Sequence, residues 1–226
     1  MIKFKNTEVM NFEGAIRGMR NPLNSWDKSD SYIDFQGVPY GLEYRDSIPG
    51  PLVIGPNDLA LMKKLIKAGS DHRKFMRQIF VSVDITAPLY WWKEFDTYKV
   101  ATVSNSCSTM HKIHDKEFTL EDFSYENLSG PSLSILKIVI NDLNCSRKAF
   151  IGECEDIPKG RKSEWWDMIQ LLPTSYNQRR TITLNYETLY NIYGSRRNHK
   201  LDEWSIGFMD WIKSLPYANE LIIDRS

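Results

Sequence analysis

The sequence predicts a mixed α+β fold, and three patterns carry that expectation. Ile79, Val81, Val83 and Ile85 alternate with Phe80, Ser82 and Asp84, the two-residue period of a strand with one buried face. After Pro131, Leu133, Leu136, Val139, Ile140 and Leu143 recur at three- and four-residue steps, the period of an amphipathic helix. Strand and helix signals follow one another along the chain without an internal repeat. At 226 residues the chain can bury a substantial core, so residues 1–226 are expected to form a single domain.

In chain order, Ile2 and Phe4 alternate with Lys3 and Lys5 and give a short strand. Residues 8–19 read as a helix with Met10, Phe12, Ala15, Ile16 and Met19 inward. Residues 21–51, rich in Pro, Gly, Asp and Ser, read either as a long loop or as a small hairpin around Tyr32-Ile-Asp-Phe and Tyr40-Gly-Leu-Glu-Tyr. A structureless loop of that length is unusual unless it is functional. Pro56-Asn57-Asp58 starts a helix with a polar cap, Leu59, Met62, Leu65 and Ile66 form its stripe, and Gly69 ends it. Beyond the strand at 79–85, Thr86 is placed to cap a helix over 88–98, with Pro88 in its first turn and Leu89, Trp92, Phe95 and Tyr98 inward. Thr102 to His111 is dense in hydroxyls and reads as a loop. Leu172 to Thr181 reads as a short turn entering a helix that runs on through Asn185, Asn191 and Arg196. Two further helices are expected over 163–171, through Trp165, Trp166 and Ile169, and over 202–214, through Trp204, Phe208, Trp211 and Ile212.

Composition narrows the function classes. Twenty-nine Lys and Arg balance 29 Asp and Glu, and the pI is near 6.9, which argues against a dedicated nucleic-acid or anionic-membrane binder. Seven Trp and eleven Tyr suit a large aromatic core, a ligand pocket or a subunit interface. The three cysteines, Cys107, Cys145 and Cys154, form no CxxC and no disulfide framework. Met1-Ile-Lys-Phe-Lys is too short and charged for a signal peptide, and no apolar run approaches the ~18 residues of a membrane span. A cytoplasmic, reduced protein is expected. Cys107, His111 and His114 offer only three loosely spaced ligands, so no metal site is expected. Cys107 lacks the strand–elbow context of a nucleophile and is expected to be a small packed residue. The pairs Arg179-Arg180 and Arg196-Arg197 are expected in a pocket or on a surface rather than on an RNA platform.

Asn185 and Arg196 stand eleven residues apart, close to three helical turns, which puts them on one face roughly 16 Å apart. Thr188, Leu189 and Ile192 fill that face, and Asn191 lies to one side. Two amides and a guanidinium along an apolar helix suit a long polar ligand with an anionic end. They equally suit a solvated face whose C-terminal Arg favours the helix dipole. His72, between a helix and a strand, is either structural or part of a site.

The run Leu172-Pro173-Thr174-Ser175, then Thr183-x-Asn185, Asn191, Arg196, and His199 with Glu203, resembles the C-terminal signature of flavin-dependent thymidylate synthases. The spacing from Pro to Asn to Arg fits without a gap, and the His-x-x-x-Glu element arrives one residue early. His72 precedes Pro88 by sixteen residues, as a family His precedes its Pro. The resemblance covers roughly residues 57–111 and 168–215. It implies a central antiparallel sheet with flanking helices. It also implies FAD-dependent reductive methylation of dUMP, or of a related pyrimidine nucleotide. Methylenetetrahydrofolate would supply the carbon and NADPH the reducing equivalents, in a homotetramer whose sites are shared between chains. Arg196 would be the catalytic group, binding the uracil edge and stabilising developing charge. His72, Lys99, Asn185 and Asn191 would contact flavin, and Ser106 and Ser108 would hold the phosphate. The sequence also departs from the family. Its Arg-His-Arg is replaced by Thr97-Tyr98-Lys99, the phosphate-binding Arg is absent, and two other family Arg positions fall at Ile169 and Glu187. Three readings follow: a divergent flavin- and nucleotide-dependent enzyme, a nucleotide binder of the same fold without redox chemistry, or a scaffold.

Overall fold

The computed structural model describes residues 2–34 and 52–225. Along the chain run β1 (Lys3–Met10), α1 (Phe12–Arg20), β2 (Tyr32–Ile33), β3 (Leu52–Val53), α2 (Pro56–Lys67), β4 (Phe80–Pro88) and α3 (Leu89–Phe95). They are followed by β5 (Val103–Ser106), α4 (Thr109–Lys112), α5 (Gly130–Ile151), α6 (Lys162–Leu171), β6 (Asn177–Asn185), α7 (Tyr186–Arg196) and α8 (Met209–Lys213). π-helical turns cover Glu203–Phe208 and Asn219–Ile223, so the expected last helix begins with wide turns. The fold is mixed, with a central antiparallel sheet in the order β1-β4-β6-β5. At one end of the β4–β6 pair the Leu89 N–H donates to Tyr176 O, and at the other the Tyr186 N–H donates to Ile79 O, both at 3.0 Å.

The chain divides into two compact units. The first comprises Met1–Thr7, Val83–Ile182 and Lys200–Phe208. It holds most of the sheet and an aromatic cluster of Trp91, Trp92, Phe95, Trp204 and Phe208, with the Trp91 and Trp204 rings 4.6 Å apart. A second cluster lies between α5 and α6, built on Leu136, Ile140, Leu143 and Met168 with Phe118 and Phe123. The second unit comprises Glu8–Ser82, Thr183–His199 and Met209–Ser226. Its core includes Phe12, Met62, Tyr186, Leu189 and Ile192, with Phe12 edge-on to Tyr186 at 5.5 Å.

Several boundaries differ from the sequence reading. β1 continues to Met10, and the helix expected from residue 8 starts at Phe12. Asn11 makes the break: it sits at φ 70°, a left-handed conformation that Asn tolerates, and its side chain donates to Gln78 O at 2.9 Å. The expected hairpin has Tyr32–Ile33 as one arm, but its described partner is Leu52–Val53, and the run at 40–44 lies outside the described residues. Thr86 is a strand residue rather than a cap, and α3 starts after Pro88. The Thr102–His111 loop contains β5 and α4. The expected turn-then-helix over 172–184 is a turn followed by strand β6. Trp166, expected inward on α6, is 41% exposed, whereas Glu164 is buried and ion-paired with Arg161.

Asp84, on the polar face of β4, accepts from Thr181 Oγ1 at 2.6 Å, from Arg179 and from Asn6 Nδ2 at 2.8 Å. These bonds, that of Thr181 foremost, hold its carboxyl well below the usual range, at about 2. Its folded pKa lies below the unfolded value of about 3.9, so its contribution to stability is complete above ~3.9 and is lost as pH falls towards 2. NMR titration of the carboxyl is expected to find it ionised at pH 3 and shifted upward in Thr181→Val. An unshifted carboxyl in that variant would show that the hydroxyl does not stabilise the charge.

Candidate functional site

The stretch Leu172–Thr181 does structural work before any other. Its turn, closed by the Tyr176 N–H on Pro173 O at 3.0 Å, presents two carbonyls to the start of α3. Thr174 O accepts from Tyr90 N–H and Tyr176 O from Leu89 N–H, both at 3.0 Å. The first N–H groups of a helix have no partner within it, and here the turn supplies them. Beyond the turn, Gln178 is buried, donates to Cys107 O at 2.8 Å and accepts from Arg180 Nε at 2.9 Å. The Arg180 guanidinium lies 4.2 Å from the Trp92 ring centroid and donates to Asp96 at 2.8 Å. This network fixes the hydroxyl-rich segment against β6.

Beside that segment, within the first unit, is a cleft of about 500 Å³ walled by Cys107, Ser108, Tyr176 and Arg179 among others. Cys107 is exposed there rather than packed, which corrects the sequence expectation. Ser108 Oγ accepts from His111 N–H at 3.0 Å as the cap of α4, and its own O–H stays available to donate. Burial, then the charges of Asp122 and Cys107, push Tyr176 up to about 12, so at neutral pH its hydroxyl stays protonated. Lys112, Lys116 and Arg179 in the wall are matched by Asp115, Glu121 and Asp122. Ser106 is exposed on β5, and Lys99 is exposed in the turn after α3. His111 is exposed and the His114 ring packs 4.8 Å from Phe150, and among the described residues no three His, Cys, Asp or Glu converge as metal ligands.

The remaining predicted site residues lie in the second unit. His72 is exposed just before a 3-10 stretch, Arg73–Gln78. Asn185 is 3% exposed and precedes α7 in an extended conformation, its side chain accepting from Thr188 N–H at 2.9 Å and Thr188 Oγ1 at 3.1 Å. It is therefore the helix cap, and the expected shared face with Arg196 applies to Thr188, Leu189 and Ile192 but not to Asn185 itself. Asn191 is exposed and Arg196 is half-buried in the last turn of α7. Sequence reasoning missed how the His72 segment is tied to α7. Glu187, at a position where the family has Arg, pairs with Arg73 at 3.1 Å and with Arg77. Burial raises the Glu187 carboxyl, but the bonds from Arg77 and Arg73 outweigh it and hold the group below its ordinary range. In the sequence the only trace is the inversion of charge at 187 and the Arg on either side of the Lys-Phe-Met run.

A flavin offers a polar ring edge and a diphosphate, and the donors His72, Lys99 and Asn191 are chemically suited to both. All three are exposed, whereas the Asn185 amide oxygen is already committed to the α7 cap.

No family model matches the chain, and no curated protein matches it. Among solved structures, the chain is similar to thymidylate synthase X (ThyX) from Helicobacter pylori determined with FAD and dUMP. The TM-score is 0.64 and the identity 14%, over 98% of this chain and 97% of that one. A second structure of flavin-dependent ThyX from the same organism, complexed with FAD and dUMP, gives a TM-score of 0.63 at 14% identity with the same coverage. The fold of this chain is therefore ThyX-like over nearly its whole length.

Proposed function

We propose that the chain is a divergent flavin-dependent enzyme that alkylates a pyrimidine nucleotide, dUMP or a close relative. The observation that carries this reading is positional. Arg196 closes a helix capped by Asn185, at the family spacing, in a chain whose fold matches an enzyme solved with FAD and dUMP. Arg196 binds the uracil edge and stabilises negative charge that develops on the ring. His72, Lys99 and Asn191 hold the flavin, while Asn185 keeps the start of α7 in place. Ser108, and Ser106 before it, donate to the phosphate. When bound, reduced FAD supplies hydride. Methylenetetrahydrofolate and NADPH are the co-substrates, and a second copy of the chain covers the exposed flavin-contacting residues in a cytoplasmic homotetramer.

A second reading is nucleotide binding without redox chemistry. It is favoured by the exposed segment around Lys99, where Thr97 Oγ1 donates to its own helix end, Glu94 O, at 2.7 Å. The visible absorption spectrum of purified protein with added FAD, followed by dUMP titration, separates the two. A flavin spectrum perturbed by dUMP supports the enzyme, and dUMP binding without flavin supports the second reading. Arg196→Ala is expected to weaken dUMP binding about 10- to 100-fold, the loss of a charge-assisted contact. Unchanged affinity would remove Arg196 from the site.

A further inference from the structure

A second cleft, of about 200 Å³, lies wholly within the second unit. Four cations line it, Lys63, Lys67, Arg73 and Arg225, against two carboxylates, Glu220 and Asp224. That surplus of two positive charges stands out in a chain whose formal net charge is zero.

Both guanidiniums are held in place. Arg73 lies 4.6 Å and Arg225 4.1 Å from the centroid of the Tyr190 ring. Arg225 also donates to Tyr190 O and passes close over α7 at Gly194. Arg73 shares Glu187 with Arg77, so one carboxylate serves two guanidiniums. Lys63 is only loosely paired, 3.8 Å from Asp224. Carbonyls at the end of α2 would repel an anion, but Lys64 O and Ile66 O accept from Ala68 and Gly69 N–H.

We propose that this cleft binds a phosphoryl anion, a phosphate or diphosphate group. Its volume is too small for a whole nucleotide, since pockets for drug-sized ligands begin near ~300 Å³. Fixed, planar guanidiniums provide paired donors for phosphate oxygens, and the two lysines add point charges at the rim. The inference does not rest on flavin chemistry, and its test reads anion binding alone.

The probe is inorganic pyrophosphate, titrated calorimetrically into the full-length protein at low salt. Wild type is expected to bind, more weakly as salt rises. The double variant Lys63→Gln/Lys67→Gln, altered at surface ammonium groups, is expected to bind about ten-fold more weakly with an unchanged melting temperature. Lys137→Gln, exposed on α5 and outside both clefts, is expected to bind as wild type does. Absence of binding at about 10 mM pyrophosphate, equal affinity in the double variant, or an equal loss in Lys137→Gln would each overturn the proposal. Parallel titrations with ADP and FAD identify the source. Tighter binding than pyrophosphate, lost in the double variant, assigns the group to a nucleotide. No gain over pyrophosphate assigns it to a free anion.

Discussion

Asp58→Ala is expected to destabilise the protein by about 3–5 kcal/mol, the range for breaking a buried ion pair by removing one partner. Asp58 is fully buried and Arg20 is 4% exposed, with Arg20 Nε donating to Asp58 Oδ1 at 2.6 Å. The other carboxylate oxygen accepts from Ser29 Oγ at 2.7 Å, Ser31 Oγ at 2.6 Å and the Ser31 N–H at 3.1 Å. Removing the carboxylate strands a guanidinium and several donors in one step. Asp30, held beside it, caps α2 by accepting from Asn57 N–H at 2.8 Å and Asp58 N–H at 3.0 Å, so the start of the helix is exposed to the same loss. Urea unfolding followed by tryptophan fluorescence measures the effect, and a cost below about 1 kcal/mol would contradict it. Replacing both partners, as in Arg20→Met/Asp58→Leu, is expected to recover only part of the loss: neither charge is then left unpaired, but the Ser29 and Ser31 donors and the Ser25 and Lys28 carbonyls still lose their partners. Burial raises the Asp58 carboxyl, but the bonds from Ser31, Ser29 and Arg20 outweigh it and leave a lowered folded pKa. The stabilisation is thus complete above the unfolded pKa and disappears as pH falls through the lower, folded value.

How far such features can be read from sequence depends on where their partners lie. Strand β4 was legible because its inward positions, Val81, Val83 and Ile85, are apolar and fully buried. Strand β6 was not. Its inward run begins with Gln178 and Arg180, and their partners Cys107, Trp92 and Asp96 lie roughly 70 to 90 residues away. Polar residues satisfied at that distance erase the alternation that marks a strand. β5 is exposed along all four residues, so it has no buried face to leave a pattern. On α7 the inward set of Leu189 and Ile192 and the final Arg196 were evident, but Asn185 caps the helix instead of lying within it. An extended residue between a strand and a helix caps with its side chain, and spacing alone counts it as part of the helix. The Glu187 pairs with Arg73 and Arg77 span more than 100 residues and leave no local signal. The turn motif, noticed for its family resemblance, is also explained by the two α3 N–H groups that its carbonyls accept.

The aromatic cluster yields a second large effect, one that separates two neighbouring tryptophans. Trp91 and Trp92 are 0% and 1% exposed, with centroids 4.8 Å apart, so burial alone predicts equal sensitivity to substitution. Their indole N–H groups differ. Trp92 Nε1 donates to Gln178 O at 3.0 Å, and its ring carries the Arg180 guanidinium. Trp91 Nε1 is buried with no acceptor among the described residues. Trp92→Phe therefore loses the hydrogen bond to Gln178 O, about 0.5–1.5 kcal/mol, and weakens a cation–π contact. Trp91→Phe loses ring volume but also removes an unsatisfied buried donor, and the two changes partly cancel. Trp92→Phe is expected to be the more destabilising by about 2 kcal/mol, whereas either residue changed to Ala should cost about 3–5 kcal/mol. Urea midpoints of the four variants decide the matter. If Trp91→Phe proves as costly as Trp92→Phe, ring packing governs this core and the hydrogen-bond difference between the two indoles contributes little.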